Sequence, residues 1–149
     1  MMIPQKGFAL VLVAAVMSIM GTSVAVSVLV TSNTIPNSGN ITAIGVLVYW
    51  DNGCTNHTTM INWDTMSPGS TKSYTIYLKN NGTSAERLSM TTNSWSPAGA
   101  QNSISLAWNR DSYLLNPSAV VSATLTLNVS SSVSVTDFDF NIVITGTEQ

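Results

Sequence analysis

VVSATLTLNVS, residues 120–130, is the stretch whose reading decides the fold. Val121, Ala123, Leu125, Leu127 and Val129 share one parity, and Ser122, Thr124, Thr126, Asn128 and Ser130 share the other. A period of two places one set on a buried face and the other in water, which is the signature of a half-buried strand. Toward the C-terminus, residues 137–145 (DFDFNIVIT) repeat the pattern, with Phe138, Phe140, Ile142 and Ile144 inward and Asp137, Asp139 and Asn141 outward. Toward the N-terminus, residues 103–108, 87–93, 72–79 and 58–63 read as shorter strands, and residues 41–50 (ITAIGVLVYW) as a strand apolar on both faces. Asp51-Asn52-Gly53, Ser67-Pro68-Gly69, Asn80-Asn81-Gly82 and Asn116-Pro117 punctuate them as turns. The spacing predicts a mainly β domain of seven antiparallel strands, packed as a sandwich, with no helical period after residue 40.

Composition narrows the possible partners. Only 8% of the 149 residues are charged, the net charge is −2, and Ser, Thr and Asn together supply 53 residues. Nucleic acid is not expected as a partner, because its recognition needs clustered Lys and Arg. The chain has one Cys and one His, so most catalytic and metal constellations cannot be assembled. Cys54 cannot form an intrachain disulfide, and no cofactor is expected.

The N-terminal third is organised differently. Lys6 is the only charged side chain before Asp51, and residues 8–30 read FALVLVAAVMSIMGTSVAVSVLV. As a helix this run spans roughly 35 Å, enough for a hydrocarbon core of about 30 Å. The positive charge at Lys6 places the amino end inside and exports the remainder. Three fates fit: a secretory signal cut after Ala25 or Ser27, an uncleaved membrane anchor, or a pilin-like leader. Residues 31–40 (TSNTIPNSGN) read as a linker, and residues 41–149 as the exported domain. Ala14, Ala15, Ser18, Gly21, Ser23, Ala25 and Ser27 would let such helices approach closely and self-associate.

Gln5-Lys6-Gly7-Phe8 resembles the short basic leader of type IV prepilins, which a peptidase cuts after the Gly. The resemblance implies cleavage between Gly7 and Phe8 and a helix that packs in a filament core. Bacterial pilins usually carry Glu at the fifth mature position; here it is Leu12, a departure that points toward archaeal pilins. Residues 66–93, with Ser67-Pro68-Gly69, the alternating Tyr74-Thr75-Ile76-Tyr77-Leu78 and Asn80-Asn81-Gly82, resemble Ig-like modules of bacterial and archaeal surface proteins. The resulting expectation is a single N-terminal hydrophobic α-helix followed by a seven-stranded antiparallel Ig-like β-sandwich.

Candidate chemistry is sparse. Cys54, His57 and Met60 are ligand types of a blue-copper loop, but the second His is missing. Asp137, Asp139 and Asn141 resemble the start of a calcium loop, but Ile142 stands where that loop needs Gly. Trp63 and Trp95 are candidates for stacking on surface glycans. Glu86-Arg87 and Arg110-Asp111 read as solvated turn charges, and no nucleophile–base pair is indicated. Asn40, Asn56, Asn81 and Asn128 each head an Asn-x-Ser/Thr sequon. The expectation is a non-catalytic extracellular surface protein, held at the cell membrane or in a filament: a pilin-like subunit, or an anchored binding module, with a copper carrier a remote third.

Overall fold

The computed structural model describes residues 35–149. Among them the chain forms β1 (Ile35–Ile44), β2 (Val46–Tyr49), β3 (Met60–Met66), β4 (Thr71–Asn80), β5 (Glu86–Ser96), a short 3-10 helix (Ala98–Asn102), β6 (Ile104–Trp108), β7 (Leu114–Leu115), β8 (Val120–Val129) and β9 (Phe138–Glu148). One sheet has the order β3-β1-β9-β5-β7 and the other β2-β4-β8-β6. The fold is mainly β.

The apolar parities join the two sheets. Ala123, Leu125 and Leu127 of β8 and Ile76 and Leu78 of β4 are wholly buried from one sheet. Phe138, Phe140, Ile142 and Ile144 of β9, with Ile61, Trp63 and Leu88, are buried from the other, and all belong to one core. Each of the Leu, Ile and Phe side chains among them contributes about 1.5–3 kcal/mol by leaving water. The opposite parity of β8 pairs with β4 through uncharged groups. The Ser73 and Thr126 hydroxyls meet at 2.9 Å, and Thr71 Oγ1 donates to Asn128 Oδ1 at 2.9 Å. Cross-strand polar pairs of this kind solvate the outer face without charge, which is where much of the Ser, Thr and Asn content goes.

A bend divides one apolar run between the sheets. β1 ends at Ile44 in the five-stranded sheet, and β2 begins at Val46 on the edge of the four-stranded one. Gly45 between them has φ +82°, and a Cβ there would lie 2.6 Å from the carbonyl oxygen of Gly146. Only glycine relieves both the conformation and the close approach.

The expected fold is corrected in several respects. Nine strands form among the described residues instead of seven, and β1 pairs in parallel with β9 from Asn37↔Phe138 to Ile44↔Thr145. A parallel pairing has no local turn to announce it, and its partners are far apart in sequence: Ser38 and Asp139 are 101 residues apart. Ile35 to Asn40, expected as linker, are the first part of β1, because β3 pairs with them and β9 joins on the other side from Asn37. Within the run 41–50, the ladder with β3 ends at Asn40, Ile41 to Ile44 have their register partners in β9, and Val46 to Tyr49 form the edge strand of the other sheet. β5 continues through the expected loop to Ser96, past a register shift that includes Ser94 at φ 54°. The described residues contain no α-helix, so the domain itself is a β fold without the helical part of the expected fold class. The helix expected over residues 8–30, with Gly7 and Phe8 at its start, lies outside the described residues. No helix among the described residues is long and apolar enough to cross a membrane.

Candidate functional site

Trp63 and the groups around it show how the sequence builds one end of the sandwich. Trp63 is the extra residue at an irregularity between β1 and β3, where Asn37 pairs with Asp64 and Ser38 with Asn62. Asp64 takes φ 55°, supported by its own N–H donating to Asn62 Oδ1 at 2.9 Å. The indole turns inward and is 0% exposed. Gly39 leaves it room, since a Cβ there would come within 3.2 Å of Trp63 Nε1 and of Ile142 Cδ1. Tyr74 packs against it with ring centroids 5.2 Å apart, and Trp50 meets Tyr74 edge-on at 6.0 Å.

Above this aromatic layer Lys72 Nζ donates to the Trp63 carbonyl at 3.0 Å and to Asp64 Oδ2, and the Tyr74 hydroxyl donates to the same carboxylate at 3.3 Å. The hydrogen bond from Lys72, and then its charge, hold the Asp64 carboxyl below the usual range. The same hydrogen bond raises Lys72.

The two rings expected as a stacking platform differ: Trp63 is buried and Trp95 is half-buried. Trp63 is enclosed in the core and offers no face to a ligand. Trp95 lies flat on Phe140, with centroids 4.3 Å apart and planes 8° from parallel, and its Nε1 donates to Thr92 Oγ1 at 3.3 Å. Both rings are used for packing, as amphipathic aromatics commonly are.

At the far end of β9 a different acid is enclosed. Glu86 is 5% exposed, and its Oε2 has no hydrogen-bond partner among the described residues. The carboxylate lies in a slot walled by glycine: a Cβ on Gly146 would fall 2.4 Å from Oε2, and one on Gly45 3.2 Å from Oε1. Burial raises its carboxyl above the usual range, and Glu148, its partner across β5 and β9, raises it further. Sequence reading placed Glu86 among solvated turn charges; the structure corrects this. The missed signal is parity, since Glu86 falls in step with the inward Leu88 and Met90 of β5. Arg110 is also less free than expected: its Nε donates to the Ser122 carbonyl at 2.6 Å, and its guanidinium lies over the Tyr113 ring.

The loop of Cys54, His57 and Met60 is organised by a neighbouring carboxylate. Asp51 accepts from the Thr55 N–H and hydroxyl at 3.1 and 2.9 Å and from the Asn56 N–H at 2.7 Å. These bonds, the one from Asn56 foremost, lower its carboxyl below the usual range. Cys54 sits at φ 54°, half-buried, with its thiol directed at the Asn52 carbonyl. His57 forms a bridge with Tyr49 and sets its ring edge-on to it, while Met60 is 52% exposed on the outer face of β3. Asp137 and Asp139 line a cleft of about 300 Å³ with Asn37, Ser38, Asn62 and Phe138. Ser38 Oγ donates to Asp139, and Thr136 Oγ1 to Asp137 at 3.3 Å. Among the described residues no three of the His, Cys, Asp and Glu side chains converge as a metal site needs.

The sequons fall in unlike places. Asn40 lies within β1, between Met60 and Asn141. Asn128 lies within β8, between Thr71 and Ser105. Asn56 heads a sequon whose Thr58 is buried, and Asn81 stands exposed between β4 and β5. Set against known proteins, the chain matches no family model, and no curated protein is significantly similar to it.

Proposed function

We propose that this chain is a non-catalytic surface protein exported through its N-terminal apolar run, acting as a pilin-like subunit of a cell-surface filament. The observation that carries the reading is the way the first strand is held. The segment of residues 8–30, free of charge and preceded by Lys6-Gly7, leads within a few residues into β1. β1 is paired on both sides, antiparallel to β3 and parallel to β9. A load that reaches β1 is resisted where Asn37 to Asn40 pair with β3 and β9 together, so several backbone hydrogen bonds must yield before the strand leaves its sheet. That suits a domain attached through its N-terminus to a filament or membrane. The alternative, a membrane-anchored module that binds surface glycans by stacking, loses one of its two rings because Trp63 is enclosed, while Trp95 is half-buried with Phe140 stacked on it.

The deciding experiment is the N-terminal sequence of the protein taken from the cells that make it. A start at Phe8 supports the pilin-like reading, and replacing Gly7 should then block processing. An intact Met1 or Met2 supports a retained anchor. A start near Val26 or Val28 means a released protein and ends the filament reading.

A further inference from the structure

We propose that Asn81, alone among the four sequons, is the site at which the folded domain accepts an N-linked glycan. An acceptor asparagine must leave the protein surface and enter an enzyme cleft together with the hydroxyl two residues on. Three sequons are badly placed for that. Asn128, the penultimate residue of β8, is paired with β4 on one side and β6 on the other, and its Oδ1 already accepts from Thr71 Oγ1 at 2.9 Å. Asn40 and Thr42 both lie in β1, whose backbone pairs on both sides around Asn40 and with β9 at Thr42. Asn56 is exposed, but its N–H is held by Asp51 and its carbonyl accepts from the Trp50 N–H at 2.9 Å. The hydroxyl of its Thr58 is buried and donates to the Met60 carbonyl at 2.9 Å.

Asn81 is built the opposite way. Asn81 and Thr83 are both exposed, in the irregular stretch that joins β4 to β5. Its neighbour Asn80 is 0% exposed and secures the base of the loop. Asn80 Nδ2 donates to the carbonyls of Ser84 at 2.8 Å and Leu115 at 3.0 Å, and its Oδ1 accepts from the Gly82 N–H at 2.8 Å. One asparagine thus anchors the loop from inside while the next points into solvent. In the transfer, a bond forms between Asn81 Nδ2 and C1 of an oligosaccharide carried on a lipid phosphate or pyrophosphate. The bond from C1 to the phosphate oxygen breaks, the lipid carrier leaves with the electron pair, and the amide gives up one proton to the enzyme.

This inference rests on export, so the test separates the two. The purified full chain in detergent is incubated with a lipid-linked oligosaccharide and an oligosaccharyltransferase that reads Asn-x-Ser/Thr alone. Trypsin then releases residues 80–87 between Lys79 and Arg87 for mass spectrometry. The expected result is one glycan on that peptide, complete loss of it in Asn81→Gln and Thr83→Ala with melting unchanged, and retention in Thr83→Ser. A glycan on Asn40, Asn56 or Asn128 of the folded chain overturns the proposal. So does a folded chain left unmodified while the heat-unfolded chain is glycosylated. Failure of the export reading shows separately, as unprocessed protein in the cytosol of the source cells.

Discussion

Asp64 and Glu86 stand near opposite ends of the same long strand, and their surroundings make them different acids. Asp64 pairs with Asn37, which pairs in turn with Phe138 at the start of β9. Glu86 pairs with Glu148 at its end. Asp64 is exposed, faces a lysine and a tyrosine hydroxyl, and has its carboxyl lowered. Glu86 is enclosed, faces another carboxylate, and has its carboxyl raised. Asp64 therefore stays charged because partners approach it, and Glu86 is pushed toward neutrality because water is kept away. Beneath each acid the core is also built differently: a large aromatic fills the space below Asp64, and bare glycine backbone makes the space around Glu86.

That contrast can be broken first at the aromatic end. Trp63→Ala removes the largest wholly buried side chain among the described residues, against which Tyr74 packs. The expected cost is about 3–5 kcal/mol, read as a loss of thermal or denaturant stability. Trp63→Phe should cost far less, because it keeps most of the ring and removes an N–H that has no acceptor among the described residues. Equal losses in the two variants would mean that the cavity is not the cause.

The glycine end should break by overfilling instead. In Gly146→Ala the new Cβ meets Glu86 Oε2 at 2.4 Å, Glu86 Cδ at 3.0 Å and Val46 Cγ1 at 3.0 Å. Overpacking of this kind costs about 1–3 kcal/mol. Glu86→Ala in the same chain should relieve part of that cost, leaving the contact with Val46, so the two substitutions should couple in a double-mutant cycle. Additive costs would show that Glu86 does not occupy the slot.

These two ends also show what the sequence discloses and what it hides. Strict alternation in residues 120–130 is a local property, and the buried Ala123, Leu125, Leu127 and Val129 follow it. So do Phe138, Phe140, Ile142 and Ile144. β1 is hidden because Pro36, Asn37, Ser38 and Gly39 have turn chemistry, and only the long-range ladders to β3 and β9 make them a strand. Glu86 is hidden because charge outweighed parity in reading it, although Leu88 next in step is wholly buried. The strand expected over residues 58–63 ends at Trp63, whereas β3 runs from Met60 to Met66 with Trp63 mid-way, because its pairing with β1 continues past a bulge that no local pattern announces. For the candidate site, the exposed turn at Asn81 was legible from Asn80-Asn81-Gly82, whereas the inward turn of Asn80 was not.

A smaller effect should separate the acids by pH. A raised carboxyl binds a proton in the folded state that the unfolded chain has already released. Glu86 therefore contributes fully below its ordinary value of 4.5, and that contribution is lost as pH rises toward its raised folded value. The charged groups facing it reduce to Glu148, because Lys79 and Arg87 alternate to the outer faces of β4 and β5. Melting temperature should fall from mildly acidic pH upward, and Glu86→Gln should flatten that fall whatever it does to absolute stability. An unchanged slope in the variant removes Glu86 as its source.

Asp64→Asn should have the least effect, and on the other limb. A lowered carboxyl gives stability that is present above its ordinary value of 3.8 and lost as pH falls through the lowered folded value. The wild-type chain should therefore lose stability at the acid extreme, and Asp64→Asn should make that loss shallower. A residual acid limb should remain, since Asp51 is lowered by its own loop hydrogen bonds. Asp64 is well exposed, and an exposed pair with Lys72 is screened by salt and worth little. High salt should thus shrink the difference between wild type and Asp64→Asn at neutral pH. It should leave the slope assigned to Glu86 nearly intact, because burial, unlike a surface ion pair, is not screened. If salt erased both slopes alike, Glu86 would be responding to Glu148 across solvent, and its glycine slot would not be what sets its charge.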